Sequence, residues 1–164
     1  MHPQALAFFG SHLSGLPALR VVEFGACDIN GSVRSVYPQA ESWLGIDRNP
    51  GRGVDVVADV TTWRTKTKFD VCVCAEVFEH SPEWETIIET ARKVLKPGGL
   101  FLASCATGAR PPHSVSGGPL EDGEHYQNIS KADMVKALWG WPEHDVKVAD
   151  GFYGRDDLYV RAVR

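Results

Sequence analysis

Short apolar segments alternate with helical or loop segments along most of the chain. Several of them, such as Val71-Cys-Val-Cys-Ala75, do not alternate apolar and polar residues. Such runs are typical of strands that helices cover on both faces of a parallel sheet. The pattern therefore predicts successive β-α-β units with strands at 20–25, 43–47, 54–57, 69–75 and 99–104.

Apolar residues at helical spacing mark two helices around these strands. Leu6, Phe9 and Leu13 predict an amphipathic helix within residues 1–14 that packs over the edge of the sheet. A second helix is predicted to begin at the N-cap Ser81 and to end before Pro97-Gly98-Gly99. Its apolar face is expected to contain Trp84, Ile87, Ile88, Ala91, Val94 and Leu95.

A third helix is predicted from a capping signal. Ser130 and Asp133 have the spacing of a capping box, in which each side chain satisfies a free backbone N–H at the start of a helix. The two tryptophans that follow are expected to lie in the core or to cover the C-terminal strands. The residues expected to be buried in and after this helix are Met134, Val135, Leu138, Trp139 and Trp141.

The C-terminal region changes to a different pattern. Residues 144–149 and 158–163 alternate apolar and polar positions, and the turn at 150–157 carries two glycines, which predicts an antiparallel hairpin within 144–163. The whole chain is therefore predicted to have an α/β fold with a doubly wound, mainly parallel seven-stranded sheet that ends in this hairpin. A length of 164 residues supports one core but not two, so we expect a single domain over 1–164.

The composition argues against two classes of function, constitutive nucleic-acid binding and membrane association. A net charge of −4 argues against a constitutive binder of the nucleic-acid backbone. No window approaches 18 consecutive apolar residues, and the N-terminal residues lack the basic start and apolar run of a signal peptide. We therefore expect a cytoplasmic protein without membrane association.

The cysteines lie in apolar, strand-like contexts and are expected to be buried free thiols in a reducing compartment. Cys72 and Cys74 share one face of a strand, but no second pair of cysteines or histidines stands at a metal-binding spacing, so we expect packing and no metal. The four cysteines are Cys27, Cys72, Cys74 and Cys105.

A glycine-punctuated turn, Gly25-Ala-Cys-Asp-Ile-Asn-Gly31, follows the first predicted strand. The bare backbone of such a turn can approach a ligand closely. Asp47 ends the next strand, and a carboxylate there can accept hydrogen bonds from two ribose hydroxyls at once. The two features together predict a site for an adenosine derivative.

The order of the motifs along the chain extends this prediction. Over about residues 20–105, the chain resembles the class I S-adenosylmethionine-dependent methyltransferases. The most specific part is the central strand with its Glu76-Val-Phe-Glu-His80 ending, followed by the turn Lys96-Pro-Gly-Gly-Leu100. The other segments that carry the resemblance are Val21 to Gly31, Leu44-Gly-Ile-Asp47-Arg48 and Val56-Val-Ala-Asp59-Val60.

The resemblance implies an enzyme that takes a methyl group from S-adenosylmethionine and leaves S-adenosylhomocysteine as product. The sequence departs from the family pattern at Cys27 and Ile29, where glycines are usual. Gly31 can supply the missing backbone flexibility slightly later in the turn. The residues implied to bind the cofactor are Glu23, Gly25, Ala26, Cys27, Gly31, Asp47, Arg48, Asp59, Val60, Ala75 and Glu76.

Two of these acidic residues have alternative roles. Glu23 can either accept a hydrogen bond from the methionine ammonium group or orient the glycine turn. Asp59 can either meet the adenine amino group, as in the family, or cap the segment that follows it. Both alternatives stay open at the level of the sequence.

The acceptor side of the site is expected within residues 106–130. The first part of this region, 106–125, is rich in Gly, Pro, His and Ser, and a long irregular loop inside a compact domain is typical of a functional segment. His80 can act as a general base, and His113, His125 and Tyr126 lie in or beside this loop, where a substrate would enter, so these four are the candidate catalytic residues.

Motifs of two DNA-modifying classes do not occur after the central strand, where Ala75-Glu76 stands. There is no Asp/Asn-Pro-Pro-Tyr/Phe, as in amino-methylating DNA enzymes, and no Pro-Cys, as in cytosine-carbon enzymes. A small-molecule acceptor is therefore favoured, while a nucleic-acid or protein acceptor stays open. The sequence does not indicate an oligomeric state.

Two other functions compete with methyl transfer. A NAD(P)-dependent oxidoreductase would share a Rossmann-like fold, but it requires Gly-x-Gly-x-x-Gly, which Gly25 to Gly31 does not spell. A non-catalytic S-adenosylmethionine-binding module would explain Cys27 in place of a glycine.

Overall fold

The computed structural model describes residues 1–150, 154 and 156–164. Its strands are β1 (Arg20–Phe24), β2 (Ser42–Asp47), β3 (Val56–Val57), β4 (Phe69–Ala75), β5 (Leu95–Ala106), β6 (Glu143–Ala149) and β7 (Asp157–Val163). They form one seven-stranded sheet in the order β3-β2-β1-β4-β5-β7-β6. Strands β1 to β5 pair in parallel, and β7 lies antiparallel between β5 and β6.

This topology confirms the predicted fold class and the antiparallel C-terminal hairpin. Part of the predicted turn at 150–157 lies outside the described residues. Strand β3 is shorter than predicted, because only Val56 and Val57 pair with β2. The chain order reverses beside β1, so the carboxyl ends of β1 and β4 border the crevice where open α/β sheets bind ligands.

Helices cover both faces of the sheet. They are α1 (Pro3–Leu13), α2 (Trp84–Val94) and α3 (Lys131–Ala137), with short 3-10 helices at Val33–Val36 and Phe78–His80. Helices α2 and α3 pack on one face, and α1 packs on the other. In the described residues, no helix is long and apolar enough to cross a lipid bilayer.

Helix α1 lies over the middle of the sheet, so the predicted packing over its edge is wrong. Phe9 and Leu13 are fully buried as predicted, whereas Leu6 is only partly buried and Ala5 takes its place in the core. These side chains share one apolar cluster with residues of β1, β4, β5 and β7. Because β1 and β4 are central strands, the helix covers the centre of the sheet.

Helix α2 has the predicted apolar face, but its ends differ. The helix begins at Trp84, and Ser81 stands before it and accepts the backbone N–H of Glu83 at 3.3 Å. At the other end, Pro97-Gly98-Gly99 lies inside β5 and does not precede it. The reason is a non-local pairing: Gly98 donates to the carbonyl of Arg164 at 2.7 Å, and Arg164 donates to Gly99 at 2.9 Å.

Helix α3 begins as predicted, because the Ser130 side chain accepts the backbone N–H of Asp133 at 3.1 Å. Met134 and Leu138 are fully buried, and Trp141 stacks on Phe101 with ring centroids 5.4 Å apart. The predictions for two other side chains are wrong, since the exposed fractions are 40% for Val135 and 88% for Trp139.

The cysteines are free thiols. Cys72, Cys74 and Cys105 are completely buried, and burial raises the pKa of each thiol well above its usual value. Cys27 differs from the prediction, because it is only partly buried and lines a cavity.

Candidate functional site

A cavity of about 380 Å³ lies at the carboxyl ends of the parallel strands. The ends of β1, β2 and β4 and the residues just after β3 contribute to its wall. All eleven predicted cofactor-binding residues line it: Glu23, Gly25, Ala26, Cys27, Gly31, Asp47, Arg48, Asp59, Val60, Ala75 and Glu76. A volume of this size is within the usual range for small-ligand pockets.

Gly25 begins the turn that forms one side of the cavity. Its φ of +74° lies in the left-handed region, and a Cβ added to it would lie 2.1 Å from a methyl carbon of Val77. The backbone N–H groups of Gly25 and Ala26 both donate to the carbonyl of Ile46, at 2.9 and 3.2 Å. The turn is therefore fixed to the end of β2, and only glycine fits its first position.

Asp47 connects this turn to the end of β2. One carboxylate oxygen accepts the backbone N–H of Cys27 at 3.1 Å, and the other accepts that of Asn49 at 2.9 Å. Each carboxylate oxygen can accept a second hydrogen bond. Asp47 can thus hold the turn and still accept two hydroxyl groups from a ligand in the cavity.

Asp59 performs the capping role that the sequence left open. One of its oxygens accepts both the backbone N–H and the hydroxyl of Thr61, at 2.9 and 2.7 Å. Its other oxygen lies 3.6 Å from the guanidinium group of Arg48. The carboxylate still lines the cavity, so capping does not prevent contact with a ligand.

The carboxylate of Glu23 is occupied by protein partners. It accepts the indole N–H of Trp43 at 2.7 Å and lies 3.6 Å from the guanidinium of Arg34. Burial raises the pKa of Glu23 to about 7, although the contacts with Trp43 and Arg34 act in the opposite direction. Both contacts use Oε2, so the two alternative roles of Glu23 stay predictions.

Glu76 stands at the end of β4 in a strained conformation, with φ of +58°. Its carboxylate accepts from the hydroxyl of Ser104 and the guanidinium of Arg110, both at 2.7 Å. Arg110 also lies 3.1 Å from Asp157, which in turn lies 2.7 Å from the imidazole of His2. This charged network links the cavity to the start of α1.

His80, His113 and Tyr126 lie together beside the cavity. Their ring centroids are 5.1 Å apart for the two histidines, 5.7 Å for His80 and Tyr126, and 4.9 Å for His113 and Tyr126. His80 lines the cavity itself. Burial and the neighbouring His113 lower the pKa of His80 to about 4, so its imidazole is neutral at pH 7.

The fourth candidate catalytic residue, His125, has no ring contact of this kind in the described part of the chain. Its Nε2 atom is buried and has no hydrogen-bond partner there. The structure therefore brings three of the four candidates together and leaves His125 outside the ring cluster.

Sequence reasoning did not identify several residues of the site. Arg110 lies in the loop that was predicted to be functional. Its position in that loop was the only sequence feature that could have indicated a role. His2 and Asp157 come together only through tertiary structure, so local sequence gave no indication of them. Further lining residues that were not predicted include Asp28, Asn30, Asn49, Val77, Val115 and Ser116.

The chain is similar to known methyltransferases. Residues 24–103 match the family model described as a methyltransferase domain. The ubiquinone biosynthesis O-methyltransferase of Paraburkholderia phytofirmans is 27% identical over 101 residues, which are 62% of this chain and 38% of that protein. The chain thus matches less than half the length of this curated relative.

Solved structures show the same fold. The S-adenosylmethionine-dependent methyltransferase from Mesorhizobium loti has a TM-score of 0.71 at 17% identity, with 96% of each chain covered. The N-methyltransferase NodS from Bradyrhizobium japonicum, solved with S-adenosyl-L-homocysteine, has a TM-score of 0.66 at 18% identity, with 98% of this chain and 84% of that chain covered.

Proposed function

We propose that this chain is a class I S-adenosylmethionine-dependent methyltransferase that transfers a methyl group from S-adenosylmethionine to a small molecule, and the match of residues 24–103 to a methyltransferase domain supports this. The main support for this proposal is the position of the cavity. The ends of neighbouring parallel strands meet around it, and Asp47 presents a carboxylate there. This is the arrangement that a nucleoside ligand requires in an open α/β sheet.

The lining residues fit the cofactor. The carboxylate of Asp47 would accept the two ribose hydroxyls, and Asp59 would accept the adenine amino group. The backbone of Gly25 to Cys27 would lie against the methionine part. Five carboxylates line the cavity, Glu23, Asp28, Asp47, Asp59 and Glu76, and Arg48 is the one arginine or lysine among the described lining residues. Such an acidic wall suits a positively charged sulfonium ligand.

When bound, the cofactor supplies a reactive methyl group on a positively charged sulfur, so the chain itself needs no covalent catalyst. The work of the protein is to align the acceptor and to exclude water. His80 stays neutral because of its low pKa, and it borders the cavity on the side of the 106–130 region. We assign His80, His113 and Tyr126 to contact with the acceptor, and His125 to a position outside it.

The first acceptor class to test is a small aromatic molecule with a hydroxyl group. The curated relative is named as an O-methyltransferase of ubiquinone biosynthesis, and the three rings beside the cavity would pack well against a planar acceptor. NodS is named as an N-methyltransferase, so aromatic and aliphatic amines form the second group.

The test is acceptor-dependent formation of S-adenosylhomocysteine. The protein is incubated with S-adenosylmethionine and a panel of phenols and amines, and the product is measured by liquid chromatography with mass spectrometry. We expect at least one phenol to raise product formation well above the rate without acceptor. Cofactor binding with no acceptor-dependent product over the whole panel would favour the non-catalytic module instead.

We also assign the protein to the cytoplasm. All four cysteines are free thiols, as expected in a reducing compartment. Cell fractionation with a tagged full-length protein tests this, and recovery of the protein from an extracellular fraction would contradict it.

A further inference from the structure

Three side chains with metal-binding atoms meet beside the cavity. Glu79, His80 and His113 each place one ligand atom within 4.8 Å of the other two. Glu79 and His80 belong to the 3-10 helix after β4, and His113 belongs to the irregular loop after β5. We call these residues the Glu79 group. His80 also lines the cavity, so the group borders the place assigned to the acceptor.

The carboxyl group of Glu79 is incompletely satisfied. The side chain is completely buried, and Oε1 accepts the backbone N–H of Ala106 at 3.2 Å. Oε2 is buried and has no hydrogen-bond partner within the described ranges. A buried polar atom without a partner costs about 1–3 kcal/mol. The orphaned oxygen therefore points to a ligand that binds there.

The two histidines offer free nitrogen atoms. Nδ1 of His80 is buried and also has no hydrogen-bond partner among the described residues. Nδ1 of His113 lies 3.1 Å from the carbonyl of Pro111. A carbonyl only accepts, so Nδ1 of His113 carries the proton and Nε2 carries a lone pair. Metal-bound histidines usually donate their second nitrogen to such a carbonyl.

We propose that the Glu79 group binds a divalent transition-metal ion, with Zn²⁺ as the most suitable probe. Two imidazole nitrogens and one carboxylate oxygen form a ligand set that zinc enzymes use, with further positions open to substrate. Mg²⁺ is disfavoured because it prefers oxygen ligands throughout. Zinc–ligand distances near 2.1 Å in a tetrahedral site place two ligand atoms about 3.4 Å apart. The side chains would therefore close by at most roughly 1.4 Å on binding.

The ion would have a chemical role at this position. A hydroxyl bound to Zn²⁺ would have a strongly lowered pKa, and its proton would pass to solvent. The oxygen would use the electron pair left behind to form the new O–C bond, while the C–S bond of S-adenosylmethionine breaks and its electron pair stays on the sulfur of S-adenosylhomocysteine. This role depends on the proposed methyl transfer, whereas metal binding itself does not.

Titration calorimetry with ZnCl₂ tests the binding on full-length protein freed of metal with a chelator. We expect one equivalent of Zn²⁺ to bind with a Kd in the micromolar range or tighter, and Mg²⁺ not to bind at the same concentration. His113→Asn should weaken Zn²⁺ binding at least tenfold, and Glu79→Gln should have a similar effect. The matched control is His144→Asn, on the exposed face of β6, which should leave the Kd unchanged.

A second group offers a competing site and a second control. His2, Glu76 and Asp157 also bring ligand atoms within 4.8 Å, but Arg110 already pairs with both of these carboxylates. His2→Asn should therefore leave Zn²⁺ affinity unchanged. The proposal is overturned if the wild type takes up no Zn²⁺, if His113→Asn binds it equally well, or if His2→Asn abolishes binding.

Folding and cofactor binding of each variant are checked in the same samples. Each variant is checked by circular dichroism and by its affinity for S-adenosylhomocysteine, which should match the wild type within about twofold. Loss of Zn²⁺ binding with intact S-adenosylhomocysteine binding supports the metal site. Zn²⁺ binding without S-adenosylhomocysteine binding would contradict the proposed function and leave the metal site standing.

Discussion

The carboxylate of Asp47 accepts the backbone N–H of Cys27 at 3.1 Å, so the end of β2 holds the turn that follows β1. The turn therefore tolerates Cys27 at a position where the family usually has glycine. The backbone N–H of Cys27 makes the contact with Asp47, and the Cys27 side chain packs beside Gly51. A Cβ added at Gly51 would lie 2.5 Å from Sγ of Cys27, which shows where that side chain is packed.

Gly25→Ala should destabilise the fold. The substitution combines a left-handed backbone conformation with a contact of 2.1 Å to Val77. We expect a loss of about 2–4 kcal/mol in the free energy of unfolding. Urea denaturation measures it. The control is Gly15→Ala, since a Cβ there meets nothing within 4 Å, and it should change stability by less than about 0.5 kcal/mol. Equal stability of the two variants would contradict the geometry of the turn.

Glu23 should make stability depend on pH. Its pKa rises from the usual value near 4.5 to about 7 in the folded protein. Between these values the folded state binds more protons than the unfolded chain, so the contribution of this carboxyl to stability falls as pH rises through about 7. Glu23→Gln removes this contribution. The variant should therefore gain about 3 kcal/mol relative to the wild type between pH 4.5 and pH 8.

Urea denaturation of both proteins across that pH range measures the difference, and other titrating groups cancel in it. A difference in unfolding free energy that stays constant with pH would show that Glu23 ionises in the folded protein at its ordinary pKa.

Arg110→Met should cost more stability than removal of a surface ion pair. The change leaves the carboxylates of Glu76 and Asp157 without their shared cation in a mostly buried place. We expect a loss of about 2–4 kcal/mol, since breaking a buried pair leaves an uncompensated charge. The control is Arg161→Met, because the pair of Arg161 with Glu143 is exposed and should contribute less than about 1 kcal/mol.

Thermal unfolding of the wild type and the two variants under the same conditions measures the loss of stability in each. A similar loss in both would mean that the network around Arg110 is no more stabilising than a solvent-exposed contact.

Local sequence was sufficient to predict the structural features that depend on residues close together in the chain. Apolar runs predicted the parallel strands, alternation predicted the hairpin of β6 and β7, and the capping pair at Ser130 predicted the start of α3. The strand-end acids Asp47 and Asp59 could be placed around one cavity because carboxyl ends of parallel strands meet at one edge of the sheet.

Features that depend on distant parts of the chain could not be predicted in this way. Pro97-Gly98-Gly99 is typical of a helix stop, yet pairing with Arg164 makes it part of β5. Arg110 and Asp157 are far apart in sequence and meet only once β5 and β7 pair. Hydrophobicity alone predicted a buried Trp139, but this residue follows the end of α3 and its indole is exposed.

The central claim is that the cavity at the strand ends binds an S-adenosyl nucleoside through Asp47. Titration calorimetry of S-adenosylhomocysteine into the wild type, Asp47→Ala and the exposed control Asp145→Ala tests it most directly. We expect one equivalent to bind the wild type and Asp145→Ala equally. Asp47→Ala should bind at least about 100-fold more weakly, as loss of two hydrogen bonds to a charged group implies. No binding by the wild type, or equal binding by Asp47→Ala, would contradict this account.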